Sequence, residues 1–121
     1  LSEFFLNNFE TSDNALDQRL KPHYYNNDYH TTQHLITSCL NQVGFKMINV
    51  DNYYHEMLFE YKRIRVIVIL NEMSLYNIRV DMKINAKYVL PLKRPIKIIA
   101  KLYEILDRKL TLKYLGGERN E

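Results

Sequence analysis

Apolar and polar residues alternate without a break along residues 76–84. Tyr76, Ile78, Val80, Met82 and Ile84 occupy one parity, and Asn77, Arg79, Asp81 and Lys83 the other. A period of two sends successive side chains to opposite faces, so this stretch predicts a strand with one buried and one hydrated side. The same period organises residues 45–50, 54–62 and 64–70. Turns are expected at Asp51-Asn52, at Lys62-Arg63 and across residues 71–75. Four consecutive strands joined by short connections predict an antiparallel meander, and its apolar face needs a second layer.

Two helices supply that layer. Asp28 is placed as an N-cap and Gly44 as the residue just past a helix end. Between them Leu35, Ile36, Cys39, Leu40 and Val43 make one apolar stripe. Beyond Pro91, Pro95 suits a first helical turn, and Ile96, Ile99, Ala100, Leu102, Tyr103 and Leu106 mark a second stripe that ends near Lys109. The expected fold is α+β: a two-layer sandwich of order α-β-β-β-β-α, with an N-terminal and a C-terminal helix on one face of a four-stranded antiparallel meander. Residues 1–28 are expected to form a partly flexible N-terminal arm, residues 29–115 the single domain, and residues 116–121 a disordered tail.

The chain has 121 residues, 46% apolar and 26% charged, which fits one globular domain and excludes disordered, collagen-like and disulfide-scaffold classes. Cys39 is the single cysteine, so no intramolecular disulfide can form. It is expected to be a small buried residue of the helical stripe, and a cytoplasmic location is the simplest setting. No stretch reaches the roughly 18 apolar residues that span a bilayer. The chain starts at Leu1, so a segment removed upstream is left open. Abundant Asn, Ile, Lys and Tyr suggest AT-rich codons and hence a low-GC bacterial or phage source.

Charge is uneven. Residues 1–60 carry eight acids against three bases, whereas residues 61–121 carry fourteen bases against six acids. Asymmetry of this kind can mark an anionic partner, or two halves whose fields cancel on packing. Arg79 and Lys83 on the outer sheet face, with Lys93, Arg94, Lys97 and Lys101 along the last helix, are the candidate anion or nucleic-acid contacts. The stacking aromatics of a single-strand binder are not evident on that face.

No motif names a reaction. His30 and His34 stand at i, i+4, the spacing of two zinc ligands, but Thr31 occupies the place of a general-base glutamate and no third ligand is signalled, though His23, Asp28 or His55 could approach in space. His55 and Glu56 are adjacent and would point to opposite faces of a strand. Glycine-rich phosphate loops are absent. No cofactor, metal, small-molecule ligand or membrane contact is therefore expected, and the chain is not expected to be an enzyme.

A surplus of apolar positions points elsewhere. If Ile64, Val66, Val68 and Leu70 line the core, Ile67 and Ile69 face outward. Likewise, if Phe45 and Met47 face inward, Ile48 and Val50 do not. An apolar patch on the open face is costly to leave wet. An arm carrying Phe4, Phe5 and Phe9, a second copy of the chain, or another protein could cover it. The leading expectation is a small macromolecule-binding domain whose partner is a protein or itself as a homodimer, with Ile48, Val50, Ile67, Ile69, Phe5 and Phe9 as interface candidates. Nucleic-acid binding through the basic helix and sheet face is the alternative.

Overall fold

The computed structural model describes residues 8–86 and 94–117. Along the chain run β1 (Asn8–Glu10), a 3-10 turn (Gln18–Leu20), β2 (His23–Tyr25), α1 (Tyr29–Gln42), β3 (Lys46–Asp51), β4 (Glu56–Tyr61), β5 (Ile64–Ser74), β6 (Asn77–Ala86), α2 (Arg94–Lys109) and β7 (Leu112–Leu115). The fold is α+β with one antiparallel sheet and two helices. The sheet has seven strands in the order β3-β4-β5-β6-β2-β7, with β1 beside β6 as well. The expected four-stranded meander is therefore too small, and neither helix ends the chain. Two strands precede α1, and β7 follows α2.

The reason lies in strand length. β1, β2 and β7 are three, three and four residues long, too short to display an alternating pattern. All three residues of β2 are buried, because its outward Tyr24 is covered as fully as its inward neighbours. β1 and β2 lie end to end along one side of β6, Phe9 opposite Ile84 and Tyr25 opposite Ile78.

Capping residues act where the sequence places them. The Asp28 carboxylate accepts the Thr31 N–H at 3.1 Å. At the other end Gly44 takes φ +103, which a side chain would resist, and the Phe45 N–H returns to the Leu40 carbonyl at 2.9 Å. Ile36, Cys39 and Leu40 of α1 share one core with Ile99, Leu102, Tyr103 and Leu106 of α2. The sheet contributes Met57, Phe59, Val66, Val68, Leu70, Ile78, Val80, Met82 and Ile84, all of the inward parity.

Three local expectations are corrected. β5 does not turn at residue 71 but runs on to Ser74, so the connection to β6 shrinks to Leu75 and Tyr76. Tyr76 consequently sits exposed in that turn instead of on the buried parity. In β3, pairing with β4 shifts between Met47 and Asn49. The bulge resets the alternation, and Val50 stands opposite inward-facing Met57 on the helix side of the sheet. Gly116, placed in the tail by the sequence, is buried: its N–H donates to the Pro22 carbonyl at 2.7 Å.

Candidate functional site

β3 ends the sheet and has a strand on one side only, among the described residues. An edge strand presents backbone N–H and C=O groups that nothing in the sheet satisfies. Six of the eleven large exposed apolar side chains among the described residues belong to β3 or to the segments that adjoin it, while Met73, Leu75 and Tyr76 sit at the β5–β6 turn. Ile48 is 55% exposed, and Val43, Val50, Tyr53, Tyr54 and Tyr61 are exposed around it. Asp51 closes the strand by accepting the Tyr53 and Tyr54 N–H groups at 3.0 and 3.1 Å, which folds the two tyrosines into an edge-to-face pair. On the outer face Lys46 stands opposite Glu60, whereas Asp51 stands opposite Glu56, like charge against like.

The outer sheet face divides in two. Over β4 and β5, Ile67 lies between Leu58 and Lys83, and Ile69 between Glu56 and Asp81. Both isoleucines point away from the helices, as their parity requires, and both are half-buried. Phe9 packs against the core on the helix side, and Phe5 lies outside the described residues.

Over β6, β2 and β7 the same face is polar and closed. Arg79 donates to Asp81 at 2.6 Å and to Asp13 at 2.8 Å, and Thr11 Oγ1 donates to the second Asp81 oxygen at 2.6 Å. Burial would lower the Arg79 pKa, but the hydrogen bond and charge of Asp81 outweigh it, and the guanidinium is held more firmly protonated than usual. Tyr24 stacks on Tyr114 with ring centroids 4.6 Å apart. This aromatic pair went unseen in the sequence, because Tyr24 and Tyr114 belong to strands too short to reveal their parity.

Of the other cationic candidates, Lys83, Lys97 and Lys101 are exposed. Glu104 takes the Lys101 ammonium at 3.1 Å and reaches Arg108 at 3.7 Å. Arg94 opens α2, and Lys93 lies outside the described residues.

The histidines fall into two places. His30 and His55 both present to Tyr29, whose hydroxyl lies 3.0 Å from His55 Nδ1. They line a hollow of about 750 Å³ together with Asp28, Asn71, Glu72 and Met73. His34 is exposed on α1. Among the described residues no three His, Cys, Asp or Glu side chains converge to hold a metal ion.

His23 forms the second place. Its Nδ1 lies 2.8 Å from Asp107 Oδ1, and the Tyr25 hydroxyl donates to the same oxygen at 2.7 Å. Burial, reinforced by Asp107, pushes the Tyr25 hydroxyl well above its ordinary pKa, so it stays a donor. The His23 ring stacks on Tyr103 at 3.7 Å. An Asp–His pair of this geometry orients an imidazole, as in acid–base catalysis. Here the small hollow beside it, about 250 Å³, is lined by Gln18, Arg19, Ala100, Tyr103 and Glu104. The one hydroxyl in that lining, on Tyr103, is engaged by the Val80 carbonyl at 2.6 Å. Eighty-four residues separate His23 from Asp107, and no spacing rule links them.

Among the described residues no helix is long and apolar enough to cross a membrane. Compared with protein-family models, with curated proteins and with solved structures, the chain matches none.

Proposed function

We propose that this chain is a protein-association module whose contact surface is the β3 edge. The observation that carries the reading is that Val43, Ile48, Val50, Tyr53, Tyr54 and Tyr61 are exposed on or next to a strand that, among the described residues, has a neighbour on one side only. Main-chain groups along such an edge supply affinity when an extended segment adds to the sheet, and flanking side chains supply selectivity. Tyrosine suits the role, since it offers a large contact area and remains tolerable in water. The half-buried Ile67 and Ile69 contribute less than their apolar character suggests.

The nucleic-acid alternative has weaker support. Arg79 is committed to Asp81 and Asp13, and Glu104 offsets the charge of Lys101 and Arg108 on α2. Binding of that kind would weaken steeply with added salt.

Site-specific photo-crosslinking tests the reading. A photoreactive amino acid at position 48, in cells that make the protein naturally, should yield a discrete protein adduct. The same probe at Lys101 should not. No adduct from position 48, or equal labelling from both, would overturn the assignment.

A further inference from the structure

Resting on that reading of the edge, we propose that the segment received by β3 is β3 of a second copy, paired antiparallel about a two-fold axis normal to the sheet. The strand reads Lys46-Met47-Ile48-Asn49-Val50-Asp51. Laid against itself in the symmetric register, Lys46 meets Asp51 of the second copy, Met47 meets Val50 and Ile48 meets Asn49. Each end joins opposite charges, and the middle is largely apolar. A two-fold contact must be self-complementary in this way, because every pair occurs twice.

The bulge makes this register work. In a regular strand residues 47 and 50 point to opposite faces, and residues directly across an antiparallel pair must share a face. Here Met47 stands opposite Phe59 and Val50 opposite Met57, both inward. Lys46 and Asp51 stand opposite Glu60 and Glu56, both outward. The one-residue shift between Met47 and Asn49, which leaves Ile48 without a partner in β4, thus returns the Lys46–Asp51 and Met47–Val50 pairs each to a common face.

Charge supplies the second support. Within one copy Asp51 and Glu56 are direct cross-strand neighbours of like sign, an arrangement that weakens a sheet. Lys46 of the second copy arrives directly opposite Asp51 and supplies the opposite charge that Glu56, on the other side of Asp51, does not. A lysine and a bulge deter pairing with an arbitrary flat strand. They fit a strand that carries the same bulge and an acid at the matching position, and another β3 has both.

Sedimentation equilibrium of the full chain tests the proposal. Wild type should be dimeric at micromolar concentration. Lys46→Glu should raise the dissociation constant by about tenfold or more, Asp51→Lys should also raise it, and combining the two should restore part of the loss, a coupling that independent sites would not show. Far-ultraviolet circular dichroism checks that each variant folds. Hydrogen exchange on the unmodified chain gives a readout free of mutation: amides along residues 46–51 should gain protection as concentration rises. A wild type that stays monomeric at several hundred micromolar overturns the proposal, as does a dimer indifferent to Lys46→Glu. Either result leaves the photo-adduct at position 48 to decide separately whether the edge receives another protein.

Discussion

The Tyr103 hydroxyl donates to the Val80 carbonyl oxygen at 2.6 Å, through the centre of the interface between α2 and the sheet. Both residues are buried, Tyr103 at 2% exposure. The bond fixes the helix along the β6 axis more tightly than apolar packing alone, since a hydroxyl taken from water needs a partner in one place. Stacked on the same ring, His23 ties β2 to α2 as well.

Tyr103→Phe should therefore cost about 1 kcal/mol of unfolding free energy, the net worth of one buried hydrogen bond, while retaining the ring that supports His23. Tyr103→Ala should cost about 3 kcal/mol or more, because it also opens a cavity. Urea unfolding monitored by circular dichroism checks both values. A phenylalanine variant as stable as wild type would show that the hydroxyl contributes packing alone.

Arg79 gives a contrasting case, in which the outer face is held by charge. With the guanidinium gone, Asp81 would keep the Thr11 hydroxyl but lose its cation, and its side chain is 13% exposed. Arg79→Met should destabilise by about 2 kcal/mol, and adding Asp81→Asn should recover part of that loss, since the stranded charge causes most of it. The double-mutant cycle by urea unfolding measures the coupling. Simple additivity of the two changes would contradict the arrangement.

How far the sequence reveals this architecture depends on how many residues carry each signal. α1 was legible because two capping residues and a four-turn stripe agree. β4, β5 and β6 were legible because alternation persists over six residues or more. β2 was not, since His23, Tyr24 and Tyr25 are all buried and show no alternation. Val50 takes the face opposite to the one its parity predicts, because a bulge leaves no mark in composition. The apolar crowding at the β3 edge was partly visible in Ile48 and Val50. Tyr53, Tyr54 and Tyr61 join it only once the turn after Asp51 brings them round. The His23–Asp107 contact depends on β2 and α2 packing side by side, which no local pattern encodes.

Asp28 should impose an acid-side pH dependence on stability. Hydrogen bonds from the Thr31 side chain and then from its backbone N–H hold the carboxyl below its ordinary pKa. A group whose pKa is depressed by folding lends stability above its unfolded-state pKa, and that stability disappears as the pH falls through the folded value. The difference in urea midpoint between wild type and Asp28→Ala should thus be full near neutrality and shrink below about pH 4. A difference that held constant or widened into acid would mean that the carboxylate is not what caps α1.

Cys39 should be chemically quiet in the folded chain. It is 3% exposed within the α1 stripe, and burial pushes its thiol pKa up, against a smaller pull downward from Lys109. Alkylation requires thiolate and access, and the folded chain restricts both. Near pH 8, iodoacetamide should label native protein about a hundredfold more slowly than protein in concentrated urea. Tyr103→Phe should speed native labelling, because a smaller unfolding free energy raises the population of open chain. Equal rates in the native and unfolded chains would place Cys39 outside the core that α1 and α2 share, and would undo the helix packing on which the sheet's inward face depends.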